Sequence, residues 1–392
     1  MWASIPQQQW NAPSALEYRE MRQVGKGTYG EVFLGENVST KQVVALKKVS
    51  VQHNDLKHRH RGLPLNALRE IRLLKSPKCQ HPNIVKLLEV ASEEEGMGKQ
   101  DSFCYLVFEY VEHDLAGVLD SSEVELPLPA VKCLFHQLLL ALEFLHSHSI
   151  CHRDLKCSNL LVTSRNVLKL GDFGLARELL ENDSRRLSLN VITLWYRAPE
   201  VLLGDTKYTT LVDMWSAGCI LVELLKRSPL FLGKDDSDQL KKIFSLCGFP
   251  SERECPSLAK LPLFAKQIPP TLGGTLSDYF ARKQLDADAC SLAQRLLEMD
   301  PSRRCTAKQA LQHQFVTMQC PDPQDLPPIE PKASLHEWET KRKRKDLAAK
   351  LAAEEQPPAQ PEAPATSERK SSSRHRSRSP ARHQQQQQQR RQ

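Results

Sequence analysis

The chain has 392 residues, 40% of them hydrophobic, which is enough to bury a sizeable core and to build two lobes. Its eleven scattered cysteines argue against a disulfide framework or a zinc site, and the first residues lack the pattern of a secretory signal. The net charge of +7 is concentrated at the end, where residues 331–392 hold 15 Lys and Arg against 7 Asp and Glu; the remainder holds 39 against 40. This basic tail favours contact with nucleic acid or acidic proteins, although charge that only keeps it soluble is an equal alternative.

The elements predicted along the chain divide it into four parts. Residues 1–17 are expected to be a disordered leader, and residues 18–109 carry mostly strand-like patterns with one helix, PLNALREIRLL, that starts at Pro64. Residues 110–316 are mainly helical, and apolar residues at a 3.6-residue period predict a long helix over 129–148. Its apolar run is broken by polar residues and looks too short to span a bilayer, so no membrane contact is expected. A β-rich lobe before an α-rich lobe indicates the α+β class.

The last part, residues 317–392, is predicted to be a basic, low-complexity tail. Capping-box spacing between Ser334 and Glu337 allows a charged helix over 335–355, and a Pro/Ala-rich linker and a disordered end follow. The basic run Lys341–Lys345 fits a nuclear import signal, with a solvated helix face as the alternative. Arg-Ser pairs near Ser377 suggest contacts with RNA or with splicing and transcription factors. We therefore expect a nuclear protein that also has access to the cytoplasm.

A glycine-rich segment, GKGTYGEV over residues 25–32, fits the pattern G-x-G-x-x-G-x-V. A dinucleotide site shares its spacing, but that site needs a helix after the glycines, whereas EVFL reads as a strand. A hairpin with a glycine tip can instead offer backbone N–H groups to a triphosphate. Lys47 ends the next strand pattern, where it can pair with phosphates, and Glu70 is the carboxylate that would hold it.

Three further motifs follow in order: HRDLKCSN at 152–159, DFG at 172–174 and APE at 198–200. Asp154 can accept the proton of an attacking hydroxyl, and Lys156 can neutralise a transferring phosphoryl group. Asn159 and Asp172 can hold magnesium ions. Phosphoryl transfer depends on positioning and charge neutralisation, which is why these residue types recur together.

With these motifs the chain resembles the eukaryotic protein kinases over residues 18–316. The resemblance implies a bilobal fold with an N-lobe at 18–109 and a C-lobe at 110–316, and it implies the use of ATP and Mg²⁺. It also implies a buried aspartate, Asp213, that braces the catalytic loop, and an ion pair between Glu200 and Arg304. The residues expected to contact ATP are Val24, Gly25, Lys26, Gly27, Thr28, Tyr29, Gly30, Val32, Ala45, Lys47, Phe108, Glu109, Tyr110, Val111 and Leu161.

Two segments narrow the resemblance to the cyclin-dependent kinases. Pro64–Glu70, PLNALRE, is similar to the helix by which these kinases bind a cyclin, and TLWYRAPE at 193–200 fits the same group. YLVFEYVEHDLAGVL at 105–119 is similar to the transcription-elongation kinase that pairs with cyclin T. A cell-cycle kinase of the same mechanism is the first alternative, and a scaffold without activity is the second, which the intact catalytic residues oppose.

The family resemblance also assigns roles in the segment that follows DFG. Ser188 stands where these kinases carry an activating phosphothreonine, and Arg69, Arg153 and Arg177 would bind its phosphate; an unphosphorylated polar loop is the alternative. Ile192 and Arg197 stand where the family forms a pocket for proline after the phosphoacceptor. We therefore expect Ser-Pro and Thr-Pro substrates, with the heptad repeats of the RNA polymerase II tail as the leading candidate.

Overall fold

The computed structural model describes residues 14, 17–27, 30–50, 52–53, 61–92, 103–179, 186–189, 191–267, 275–342 and 345. The described residues belong to one compact unit. It consists of an antiparallel sheet with one helix, followed by a larger helical part, so the predicted α+β bilobal fold is confirmed. The predicted leader lies almost wholly outside the described residues, as do Thr28, Tyr29 and the tail after residue 345.

The strands of the described residues run as follows: β1 Tyr18–Gly27, β2 Gly30–Asn37, β3 Val43–Ser50, β4 Gln52–His53, β5 Arg61–Gly62, β6 Leu87–Ser92, β7 Phe103–Glu109, β8 His113–Asp114, β9 Ile150–Cys151, β10 Leu160–Val162, β11 Leu168–Leu170 and β12 Arg177–Glu178. The main sheet has the order β1-β2-β3-β7-β6, and all its neighbours are antiparallel. The glycine-rich segment is its first hairpin, in which Gly27 pairs with Gly30. A Cβ on Gly30 would lie 1.8 Å from the carbonyl oxygen of Lys48, so this close approach requires glycine.

The helices of the described residues run as follows: α1 Leu65–Leu74, α2 Leu115–Asp120, α3 Leu128–Ser147, α4 Pro199–Leu202, α5 Leu211–Lys226, α6 Asp236–Cys247, α7 Pro256–Ala259, α8 Leu276–Lys283, α9 Ala287–Leu296, α10 Ala307–Ala310 and α11 Gln314–Thr317. Helix α3 has 20 residues and is long and apolar enough to cross a membrane, so the expectation of too short a run is wrong. Its apolar residues are instead buried in the core of the C-lobe, where α5 and α10 pack on it. None of the eleven cysteines forms a disulfide.

The chain does not leave the domain at residue 316, so the prediction of a low-complexity tail from residue 317 is wrong for its first part. Ile329 and Leu335 are 5% and 6% exposed and belong to the main core. Residues 337–342 are helical, within the range of the predicted helix 335–355, whose further course lies outside the described residues. The two buried apolar residues stand among prolines and charges without periodicity, which is why composition alone indicated a tail.

Candidate active site

A cavity of about 310 Å³ lies between the main sheet and the helical lobe. Val24, Val32, Ala45 and Leu161 give it apolar walls, and residues 108–111 form its back edge. The predicted ATP contacts on the cavity wall are Val24, Gly25, Lys26, Val32, Ala45, Lys47, Phe108, Glu109, Tyr110, Val111 and Leu161. Gly27 and Gly30 pair with each other in the hairpin beside it, and Thr28 and Tyr29 lie outside the described residues. A cleft with apolar walls and a few polar groups is the usual form of a nucleotide site.

Lys47 connects the two halves of this cavity. Its Nζ lies 2.8 Å from Glu70 Oε2 on α1 and 3.0 Å from Asp172 Oδ1 of the DFG motif. Burial alone would lower the pKa of Lys47, but the carboxylates of Asp172 and Glu70 outweigh it and raise that pKa above its ordinary value. Lys47 is therefore a fixed cation at the cavity wall, and the predicted Lys47–Glu70 pair is present in the isolated chain.

Asp213, at the start of α5, binds the backbone of the catalytic loop, residues 152–159. Its carboxylate accepts the backbone N–H groups of His152 at 2.8 Å and Arg153 at 2.9 Å, and it contacts His146 Nε2 at 3.1 Å. Burial opposes ionisation of Asp213, but these hydrogen bonds and the nearby histidines hold its pKa below the usual value. The brace stabilises Arg153 in a left-handed backbone conformation, with φ of 65°, that a non-glycine residue rarely adopts.

Asp154 lies at the centre of a hydrogen-bond network. Lys156 Nζ is 2.9 Å from its Oδ2, and Asn159 Nδ2 donates to the same oxygen at 3.1 Å and to the Asp154 backbone carbonyl at 2.8 Å. The Thr193 hydroxyl donates to Oδ1 at 2.9 Å, and the Thr193 backbone N–H donates to it at 3.2 Å. Four donors fix the orientation of this carboxylate, as a general base requires.

The sequence motifs assign no role to Thr193, but its contact with Asp154 predicts that it supports catalysis. Thr193→Val removes one donor to Asp154 and the hydroxyl that lies 3.4 Å from Lys156 Nζ. We expect kcat for peptide phosphorylation to fall about tenfold, since one hydrogen bond to a charged group is worth about 1.5 kcal/mol. Thr193→Ser keeps the hydroxyl and is the control. Steady-state kinetics that show equal losses in both variants would contradict this role.

Asn159 and Asp172 have the chemistry to hold Mg²⁺. Both N–H groups of the Asn159 amide are directed at Asp154, which leaves the amide oxygen for a ligand. Asp172 lines the same cavity and has a left-handed backbone conformation. Burial would raise the pKa of its carboxyl, but the neighbouring Lys47 outweighs this effect and lowers that pKa. Amide and carboxylate oxygens are the ligands that Mg²⁺ prefers, so the residues fit the ion. When bound, Mg²⁺ would neutralise charge on the phosphates of ATP.

Ile192 and Arg197, the two residues of the predicted proline pocket, contact each other. Ile192 has φ of 66°, a strained value for a β-branched residue, and its carbonyl oxygen accepts Arg197 Nη2 at 2.9 Å. Arg197 Nη1 also contacts Asp236 at 2.7 Å. The guanidinium therefore occupies the Ile192 carbonyl oxygen.

Ser188 is exposed, and its surroundings differ in part from the prediction. Its carbonyl oxygen accepts the Tyr208 hydroxyl at 2.9 Å, and Arg153 Nη1 donates to the same hydroxyl at 3.1 Å. Arg177 lies in β12, where it pairs with Cys151, two residues before Arg153. Arg69 donates to Asn66 on its own helix at 3.0 Å. The structure thus links Arg153 to the Ser188 backbone through Tyr208, a residue that the sequence did not single out.

Residues 334–339, here called the C-terminal strap, also reach the cavity, a contact that no sequence pattern predicts. Leu335 N–H donates to His113 Nδ1 at 3.0 Å, and the Asp114 N–H donates to the Leu335 carbonyl at 2.9 Å. Arg22 on β1 forms an ion pair with Glu339 and donates a hydrogen bond to Ser334 Oγ. The strap therefore connects the main sheet to residues 113–114. The strap residues on the cavity wall are His336, Glu337 and Trp338.

Comparisons with known proteins agree with this geometry. Residues 18–316 match the family model described as "Protein kinase domain". Cyclin-dependent kinase C-1 of Arabidopsis thaliana is 39% identical over 369 residues, which cover 90% of this chain and 70% of that protein. Probable cyclin-dependent kinase 10 of Dictyostelium discoideum is 43% identical over 304 residues, or 77% of this chain and 79% of that protein. CTD kinase subunit alpha of Schizosaccharomyces pombe is 37% identical over 329 residues, or 83% of this chain and 53% of that protein.

The fold, the lysine–glutamate pair and the catalytic loop thus define a protein kinase. Within that class the chain belongs to the cyclin-dependent kinases, which are serine/threonine kinases that use ATP and Mg²⁺ and bind a cyclin. It spans 65% of the length of both cyclin-dependent kinase C proteins of rice and 53% of the fission-yeast CTD kinase subunit.

Proposed function

We propose that this chain is the catalytic subunit of a cyclin-activated kinase that phosphorylates Ser-Pro and Thr-Pro sites of the transcription machinery. The observation that carries the proposal is the Ile192–Arg197 pocket. A substrate residue after the phosphoacceptor finds no acceptor for its N–H there, because the Ile192 carbonyl is bound by Arg197. Proline has no N–H to leave unpaired, so it is favoured at this position.

The transfer step follows from the groups around Asp154. The hydroxyl oxygen of the substrate attacks the γ-phosphorus, the bond to the leaving ADP oxygen breaks, and the hydroxyl proton passes to the Asp154 carboxylate. Lys156 offsets charge on the transferring group, and Lys47 is a fixed cation at the cavity wall. Asn159 and Thr193 hold Asp154 in place without taking part in bond changes.

The substrate class is proposed to be the Ser-Pro heptads of the RNA polymerase II tail. The support is the similarity to the fission-yeast protein named CTD kinase subunit alpha and to the cyclin-dependent kinase C proteins. A T-type or related transcriptional cyclin is the proposed partner. We also propose a nuclear location, with the basic segment from Lys341 as the import signal and the tail as a contact for RNA or for splicing and transcription factors.

The cyclin is proposed to bind the exposed face of α1. Leu65 and Leu68 on this helix are 70% and 47% exposed, whereas Glu70 on the opposite face is 2% exposed. We expect Leu65→Asp with Leu68→Asp to weaken binding of a T-type cyclin by about 30-fold, the effect of losing one apolar hot spot. Val38→Asp changes another exposed N-lobe residue (47%) and is the control. Calorimetric titration that gives equal affinity for all three proteins would contradict this surface.

The experiment that tests the proposed function is phosphate transfer from ATP to a Tyr-Ser-Pro-Thr-Ser-Pro-Ser repeat peptide. It is run with the chain alone, with a T-type cyclin and with a cell-cycle cyclin, and repeated on a peptide with both prolines replaced by alanine. Transfer only with the T-type cyclin and only to the proline peptide is the expected result. Activation by the cell-cycle cyclin alone would move the chain to cell-cycle kinases, and inactivity throughout would favour a scaffold.

A further inference from the structure

Tyr208 has a position that the proposed mechanism does not use. It is 3% exposed and lies just before α5, where burial raises the pKa of its hydroxyl and keeps it protonated. The hydroxyl donates to the Ser188 main-chain carbonyl at 2.9 Å and accepts from Arg153 Nη1 at 3.1 Å. A single buried group therefore connects the catalytic loop to the segment that carries the predicted phosphosite.

Arg153 also makes two further hydrogen bonds, to Asp213 and to Leu175. Its backbone N–H donates to Asp213, and its Nε donates at 2.8 Å to the carbonyl of Leu175, which directly follows DFG. The Ser188 segment is also held next to Tyr208, because Leu187 N–H donates to the Thr206 carbonyl at 2.9 Å. Both bonds to residues 187 and 188 involve main-chain atoms, so neither depends on the Ser188 hydroxyl or on a phosphate.

We propose that Tyr208 is a positioning residue that docks the activation segment at Ser188 onto Arg153 before any phosphate is added. The proposal rests on the proposed kinase function with Ser188 as its phosphosite. A phosphate at Ser188 adds about two negative charges and strong arginine contacts, which dock the same segment more firmly. The Tyr208 hydrogen bond and the phosphate contacts dock the same segment independently. The Tyr208 hydroxyl therefore contributes most to docking when the phosphate is absent.

The test is a cycle of four proteins, each bound to its cyclin. Ser188→Ala removes the phosphosite but keeps the carbonyl that Tyr208 binds. The four proteins are the Ser188→Ala chain and the Ser188-phosphorylated chain, each with and without Tyr208→Phe. We expect Tyr208→Phe to lower kcat/KM about tenfold in the Ser188→Ala protein and less than about twofold in the phosphorylated one. A purely structural role would lower both equally. Equal losses, or no loss in the Ser188→Ala protein, would overturn the proposal.

Tyr279→Phe, which changes a half-buried tyrosine on α8, is the matched control and should leave both activities unchanged. A second measurement needs no kinase activity. Arg186 is exposed and lies directly before the docked Leu187, so trypsin cleavage after Arg186 reports release of the segment. Tyr208→Phe in the isolated chain should speed this cleavage about fivefold at an unchanged unfolding midpoint.

The kinetic and cleavage measurements distinguish a failure of the Tyr208 docking role from a failure of the proposed kinase function. If the chain is inactive with every cyclin, the proposed function fails, and the cleavage rate still decides the role of Tyr208. A cleavage rate equal to that of the unaltered chain would overturn the docking role even in an active kinase.

Discussion

Replacing Asp154 by asparagine should lower kcat for peptide phosphorylation about 1,000-fold, within the range of 10²–10⁴ that general-base catalysis contributes. The amide is a far weaker base than the carboxylate. Thr193, Lys156 and Asn159 all donate hydrogen bonds to this site, so the NH₂ group of the asparagine would face at least one other donor and lose that hydrogen bond. The nucleotide cavity is not altered, so KM for ATP should change little. Steady-state kinetics of the cyclin complex measure both quantities.

The control for this experiment is Asp325→Asn, which makes the same chemical change at an exposed site far along the chain from the catalytic loop. It should keep the activity of the unaltered enzyme. Thermal unfolding of both variants checks that the fold is intact. An Asp154→Asn protein that retains activity within about tenfold of the unaltered chain would remove Asp154 from the role of base.

The largest loss of stability is expected from Arg304→Met. Arg304 and Glu200 are each 2% exposed and form a bidentate pair at 2.6 and 2.9 Å. Removal of the guanidinium leaves a buried carboxylate without its partner, at a cost of about 3–5 kcal/mol in the free energy of unfolding. The midpoint of urea unfolding should therefore fall strongly, because Arg304 also donates to the backbone carbonyls of Glu298 and Leu211.

The neighbouring residue provides a matched control. Arg303 has a side chain that is 61% exposed and lies 3.8 Å from Glu298, so Arg303→Met should cost less than about 1 kcal/mol. Adding Glu200→Gln to Arg304→Met should recover part of the loss, since the unpaired charge is then removed. Equal midpoints for the two single variants would show that the buried pair contributes nothing.

Residues whose chemistry lies in contiguous motifs could be predicted from the sequence. Lys47, Asp154 and Asp172 stand in segments whose order leaves few alternatives, and the structure brings their surroundings together in one cavity. The periodicity of α3 predicted its bounds to within one residue because its buried face is continuous. These predictions depend on local pattern, which the sequence carries directly.

Contacts between distant segments could not be predicted in the same way. The Thr193 hydroxyl reaches Asp154 across 39 positions, and Tyr208 reaches Ser188 through a main-chain carbonyl that has no sequence signature. The strap joins residues more than 200 positions apart, such as Leu335 and His113. Its anchor needs a glycine, because a Cβ on Gly117 would lie 2.4 Å from the Leu335 carbonyl oxygen. Only the folded chain shows why that position is glycine.

The strap has a consequence for small molecules that compete with ATP. The cavity that Tyr110 lines is also lined by Glu337 and Trp338, a carboxylate and an indole from outside the matched domain at 18–316. A kinase without such a segment lacks these two groups. A cationic, flat substituent directed there can gain an ion pair and a stacking contact. Selectivity among related kinases can therefore be sought at the strap, where the catalytic residues that all of them share are not involved.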